Sequence, residues 1–83
     1  MTPKVKNYTA TTTKTDFPAI WAGRFVIESD AKNTDFVTIY MGTETVVTLE
    51  PGDSYPDGVH GYISRYSHQA DSGNQKVIVR ISL

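Results

Sequence analysis

The stretch Asp35-Phe36-Val37-Thr38-Ile39-Tyr40-Met41-Gly42-Thr43-Glu44-Thr45-Val46-Val47-Thr48-Leu49 decides the fold class of this 83-residue chain. Two runs of β-branched and aromatic residues alternate with polar ones on either side of Gly42-Thr43-Glu44, which is a hairpin signal. Upstream, Arg24-Phe25-Val26-Ile27-Glu28 reads as a strand ended by the polar run Ser29-Asp30-Ala31-Lys32-Asn33. Downstream, Pro51-Gly52 and Asp57-Gly58 supply the fixed proline φ and the positive glycine φ that tight turns need. A strand is expected over Val59 to Ser67, a turn over Asp71-Ser72-Gly73-Asn74, and a closing strand over Lys76 to Ser82. No window of about 11 residues keeps an i, i+3, i+4, i+7 apolar stripe, so helix is not expected beyond a turn or so. About six short strands predict an all-β fold, a small antiparallel β-sandwich or a jelly-roll-like barrel.

Alternation then assigns faces. Phe25, Ile27, Val37, Ile39, Met41, Val47, Leu49, Ile63, Val77, Val79 and Ile81 fall on period-two rows and form the expected core. Val26, Phe36, Tyr40, Val46 and Ile78 fall on the opposite rows, where a free-standing sandwich prefers polar groups. Isolated outward apolar residues are ordinary, but a row of them suggests a face covered by a partner.

Residues 1–15 read differently. They hold six threonines, Lys4, Lys6 and Lys14, no acid, and only Val5 and Tyr8 as large apolar groups. Threonine favours extended backbone, yet there is too little here to bury alone. This is an extended Thr/Lys-rich arm (1–15) ahead of a single β domain (16–83). It pairs as an edge strand on its own domain or lies on another subunit. Residues 16–83 carry five basic and nine acidic side chains, so the whole chain has a net charge of -1.

With a pI of about 6.0, the chain lacks the basic face that gives nucleic-acid binding its affinity. It holds no cysteine, which excludes disulfides and thiolate metal sites within these residues. No secretory or membrane-spanning apolar run is present, so the expected place of synthesis is the cytoplasm, with no membrane partner and no glycan on the Asn7-Tyr8-Thr9 sequon.

The most suggestive chemical motif is Glu50-Pro51-Gly52-Asp53-Ser54-Tyr55-Pro56-Asp57-Gly58-Val59-His60, which resembles the second motif of cupins, a glycine followed by Pro-x-Gly and then a histidine. Only one residue separates Gly58 from His60 where cupins have two, the upstream pair of histidines is missing, and His68 is the only other imidazole. A catalytic metal site normally takes three protein ligands; a turn between strands accounts for this stretch without metal. There is no nucleophile elbow, phosphate loop or dinucleotide fingerprint. Asp53 with Asp57 lacks a substrate cleft for acid–base work, and Asp30, Asp35 and Asp71 lack calcium-loop spacing. No catalytic residue, metal or cofactor is expected.

Aromatic residues point to contact instead. Trp21 and the tyrosines offer large rigid area with a polar tip. Taken along one strand, Tyr62 and Tyr66 share a face, opposite Ile63 and Arg65. The residues expected to meet a partner are Lys4, Lys6, Tyr8, Trp21, Phe36, Tyr40, Tyr62 and Tyr66.

The hairpin 34–49, the turn Leu49-Glu50-Pro51-Gly52-Asp53 and the Val-rich strand 76–81 resemble the short all-β virion proteins of tailed bacteriophages. That resemblance implies a capsid decoration or cement protein in the virion, which binds the major capsid protein across subunit junctions and commonly forms trimers. It transfers no catalytic residue. Two other classes remain: a carbohydrate-binding sandwich using Trp21 and Tyr62, and a cupin-like metal enzyme using His60.

Overall fold

The computed structural model describes residues 4–57 and 61–82. The expected hairpin forms from β5 (Val37–Met41) and β6 (Glu44–Leu49), turning through Gly42 at φ 64°, where a side chain would be strained. Successive pairs nest around it. β4 (Arg24–Ser29) pairs with β7 (Ser54–Asp57), β3 (Trp21–Ala22) with β8 (Gly61–Tyr62), β2 (Thr15–Asp16) with β9 (Tyr66–Ala70), and β1 (Lys4–Ala10) with β10 (Gln75–Ser82), all antiparallel. The chain is thus one long ribbon folded back on itself, from Met41↔Glu44 at its tip to Lys4↔Ile81 at its open end. Winding that ribbon adds two further pairings, β10 with β4 and β5 with β9. The result is two four-stranded sheets, sheet A in the order β1-β10-β4-β7 and sheet B in the order β2-β9-β5-β6, with β3-β8 as a small separate ribbon. This is a β-sandwich with jelly-roll winding, as the sequence leads one to expect.

Lys4–Ala10 forms the edge strand of its own domain, the first of the two placements open to the arm. Tyr8 packs on the core and Ala10 is fully buried within it.

The turn Glu50-Pro51-Gly52-Asp53 is locked from both sides. Asp53 N–H donates to Glu50 O at 2.9 Å, with Gly52 at φ 90° as a type II turn requires. Gly52 N–H donates to Ser29 O and Ser29 N–H to Asp53 O, both at 2.9 Å, so the turn is sewn to the end of β4. Pro51 and Gly52, part of the stretch that resembles phage proteins, serve this structural role.

Between the sheets lie Phe25, Ile27, Val37, Ile39, Leu49, Ile63, Val77, Val79 and Ile81, joined by Ala10, Phe17, Tyr66 and Ala70. Three expectations need correction. Met41 is 46% exposed: it ends β5 at the hairpin tip beside the exposed Glu44, while its other row partner, Tyr66, keeps the cover of Phe25 and Tyr55. A bulge shifts the register between Ile39 and Tyr40, so Val46 and Val47 are both half-buried against the core and the alternation that separated them fails. The strand expected over 59–67 is broken: Val59 and His60 lie outside the described residues, and Ile63–Arg65 forms a single 3₁₀ turn between β8 and β9.

Candidate functional site

The 3₁₀ turn separates the two tyrosines expected to share a face. Tyr62 is 53% exposed, whereas Tyr66 is buried against the rings of Phe25 and Tyr55 at 5.6 and 6.2 Å. Tyr62 meets Trp21, also 53% exposed, edge to face at 5.3 Å, since the two are paired partners on the β3-β8 ribbon. Phe36 lies at the opposite end of the sandwich, on the loop between β4 and β5, where its carbonyl accepts from Asp71 N–H. Tyr40 is half-buried: its hydroxyl bonds Gln69 Oε1 at 3.1 Å and Lys14 Nζ stands 4.5 Å from its ring centroid. That lysine also donates to Gly42 O at 2.6 Å, tying the β1–β2 connection to the hairpin tip. Tyr8 turns toward Phe17, ring centroids 5.4 Å apart, and burial pushes its phenol upward in pKa.

Lys4 and Lys6 are exposed on β1, on the same side of sheet A as their buried partners Ile81 and Val79. Charged groups at such positions are a usual guard on a free edge. Among the described residues, no strand lies outside β1 in sheet A or outside β6 in sheet B. The β6/β7 side carries Glu44 at the start of β6 and Glu50 and Asp53 in the following turn, all exposed. The sandwich therefore has one lysine-bearing edge and, across its width, one acidic edge. The charge imbalance between arm and body was the sequence signal for this, but the acids could not be placed without strand order.

Arg80 and Glu28 pair at 2.9 Å on the outer face of sheet A, which raises the guanidinium pKa. Among the described residues, no three His, Cys, Asp or Glu side chains gather to hold a metal ion. The cupin-like stretch runs into residues 58–60, outside those described.

One buried ionisable group stands apart. His68 is 3% exposed between the sheets, edge to face with Phe17 at 4.7 Å, and its Nδ1 lacks a hydrogen-bond partner. Burial lowers its pKa, opposed in part by the Asp16 carboxylate, which accepts from Ser67 Oγ at 2.6 Å. The unfolded imidazole takes up a proton as pH falls through about 6.5 while the folded one resists until lower pH. Thermal melts should thus show full stability above that value and progressive loss on going to pH 5. Aspartates such as Asp35, held low in pKa by Ser72 Oγ and Phe36 N–H, act only at more acidic pH. His68→Phe should flatten the profile between pH 7 and 5; an unchanged slope would assign the effect to other groups.

No family model and no curated protein matches this sequence. Among solved structures, a chain of the Bacillus endospore appendages, described as a novel family of disulfide-linked pili, matches with a TM-score of 0.50. It is 21% identical, over 99% of this chain and 86% of that one. At this identity the likeness speaks for the fold. The capsid-decoration reading is corrected by it: this solved neighbour is a pilus chain, and the Pro-Gly turn behind the phage resemblance serves here to join β6 to β7 and to hold the end of β4.

Proposed function

We propose that this chain is a structural subunit that assembles with copies of itself, lysine edge to acidic edge. The observation that carries this reading is the pair of free strand edges of opposite charge, Lys4 and Lys6 on β1 against Glu44, Glu50 and Asp53 on the β6/β7 side. An exposed edge offers a row of unpaired N–H and C=O groups to a second strand. The lysines oppose pairing of two β1 edges with each other, while the acids on the far side invite them. Such a contact is heterologous, and repetition gives either a closed ring or an open filament. A pilus chain of the same fold supports the reading. These 83 residues contain no cysteine, so no contact made through them is a disulfide.

The test is a charge swap. Lys4→Glu/Lys6→Glu should raise the concentration needed for assembly, read by light scattering, by about tenfold, since each exposed pair contributes up to about 1 kcal/mol and reversal adds repulsion. Glu44→Lys/Glu50→Lys should do the same, and an equimolar mixture of the two variants should assemble again. Molar salt should weaken the wild type by screening. Variants that assemble like the wild type, or a wild type that stays monomeric at every concentration, would refute the proposal.

A further inference from the structure

We infer that the end of the sandwich bearing Trp21 and Tyr62 docks onto the opposite end, bearing Phe36, of a second copy. This goes beyond edge pairing, because it uses the two ends of the strands rather than their sides. The first end is closed by the β3-β8 ribbon, the 3₁₀ turn and the β5–β6 tip, and it exposes Trp21, Tyr62 and Met41 by 53%, 53% and 46%. The second end consists of the loops 30–36, 50–53 and 71–74, with Phe36 39% exposed.

Charge distinguishes the ends as well. The first holds Lys4, Lys14, Arg24 and Arg65 against Glu44 and Asp57. The second holds five carboxylates, among them Asp35, Asp53 and Asp71, against Lys32 and Lys76. The remaining ionised residues, Lys6 and Arg80 with Asp16 and Glu28, balance. The molecule is therefore polarised along its strands, positive at the aromatic end and negative at the other. Two like ends repel and unlike ends attract, so the occupant that fits the aromatic end is the Phe36 end of another copy. Half-exposed Trp and Tyr that become buried on docking are the residue types that dominate contact energetics.

Trp21 is the only tryptophan in the chain, so its emission reports on this end alone. On raising the concentration of the full chain, Trp21 emission should shift to the blue and acrylamide quenching should fall severalfold as assemblies appear by light scattering. Phe36→Ser, a change at the far end in a side chain already partly exposed, should abolish that shift while edge assembly persists. Assembly without any change in Trp21 accessibility would overturn end docking and leave edge pairing standing, and so would a Phe36→Ser protein whose Trp21 signal matches the wild type. Absence of assembly altogether would overturn both.

Discussion

Phe25→Ala is expected to lower the melting temperature by on the order of 12–40 °C, from a loss of about 3–5 kcal/mol at about 4–8 °C per kcal/mol. The ring is 1% exposed and lies where the two sheets close on each other. It meets Tyr66 edge to face at 5.6 Å, and the Arg65 guanidinium stands 5.9 Å from its centroid. Truncation removes the apolar transfer energy, leaves a cavity that two paired strands on either side cannot readily collapse, and strips Arg65 and Tyr66 of a shared neighbour. A chain of this length has a total stability of about 4–12 kcal/mol, so the variant is expected to be partly unfolded at physiological temperature. Met41→Ala is the control. It lies on the same kind of period-two row, yet its 46% exposure limits the expected loss to about 1 kcal/mol. Melts followed by circular dichroism separate the two, and equal losses would mean that the hairpin tip is covered in solution.

That contrast marks how far the sequence could be read. Alternation correctly turned Phe25, Ile27, Val37, Ile39, Leu49, Val77, Val79 and Ile81 inward, because side-chain direction in a strand follows from backbone geometry alone. It could not tell that Met41 ends its strand at an exposed hairpin tip, nor that a bulge draws both Val46 and Val47 toward the core. Those facts belong to the packing of one sheet on another. The ribbon that brings Trp21 to Tyr62 has only two residues per strand, too few for any periodic signal. Their meeting follows from the nesting of pairs around the hairpin. The same holds for the candidate contact surfaces: the basic arm was legible as a run of charge, whereas Glu44, Glu50 and Asp53 become an edge only through the order β2-β9-β5-β6. Buried Gln75 was not singled out, since nothing in Asn74-Gln75-Lys76 distinguishes a pinned amide from a solvated one.

Gln75→Ala is expected to loosen the Phe36 end of the sandwich while sparing its edges. Gln75 is 3% exposed at the start of β10. Its Oε1 accepts from Thr34 N–H at 2.9 Å and from Asp35 N–H at 3.2 Å, and its Nε2 donates to Ser72 O at 3.0 Å. One side chain thus satisfies the backbone of two loops that no strand pairs. Asn33 works beside it, with Nδ2 donating to Lys76 O at 2.8 Å and Oδ1 accepting from Lys76 N–H at 2.7 Å, so alanine at 75 leaves the loop attached but poorly held. Unpaired, partly buried amides cost about 1–3 kcal/mol, and hydrogen exchange at Thr34 and Asp35 should quicken by roughly five- to a hundredfold. Because Phe36 rides on this loop, the concentration-dependent burial of Trp21 should weaken in parallel. Gln75→Glu separates hydrogen bonding from bulk: it keeps the acceptor for both amides but loses the donor to Ser72 O and buries a charge near the Asp35 carboxylate. It should therefore protect Thr34 and Asp35 at high pH less well than Gln75 and regain protection on acidification, as the new carboxyl takes up a proton and can donate again. An exchange rate for these amides that matches the wild type in both variants would show that water, not Gln75, satisfies the loop.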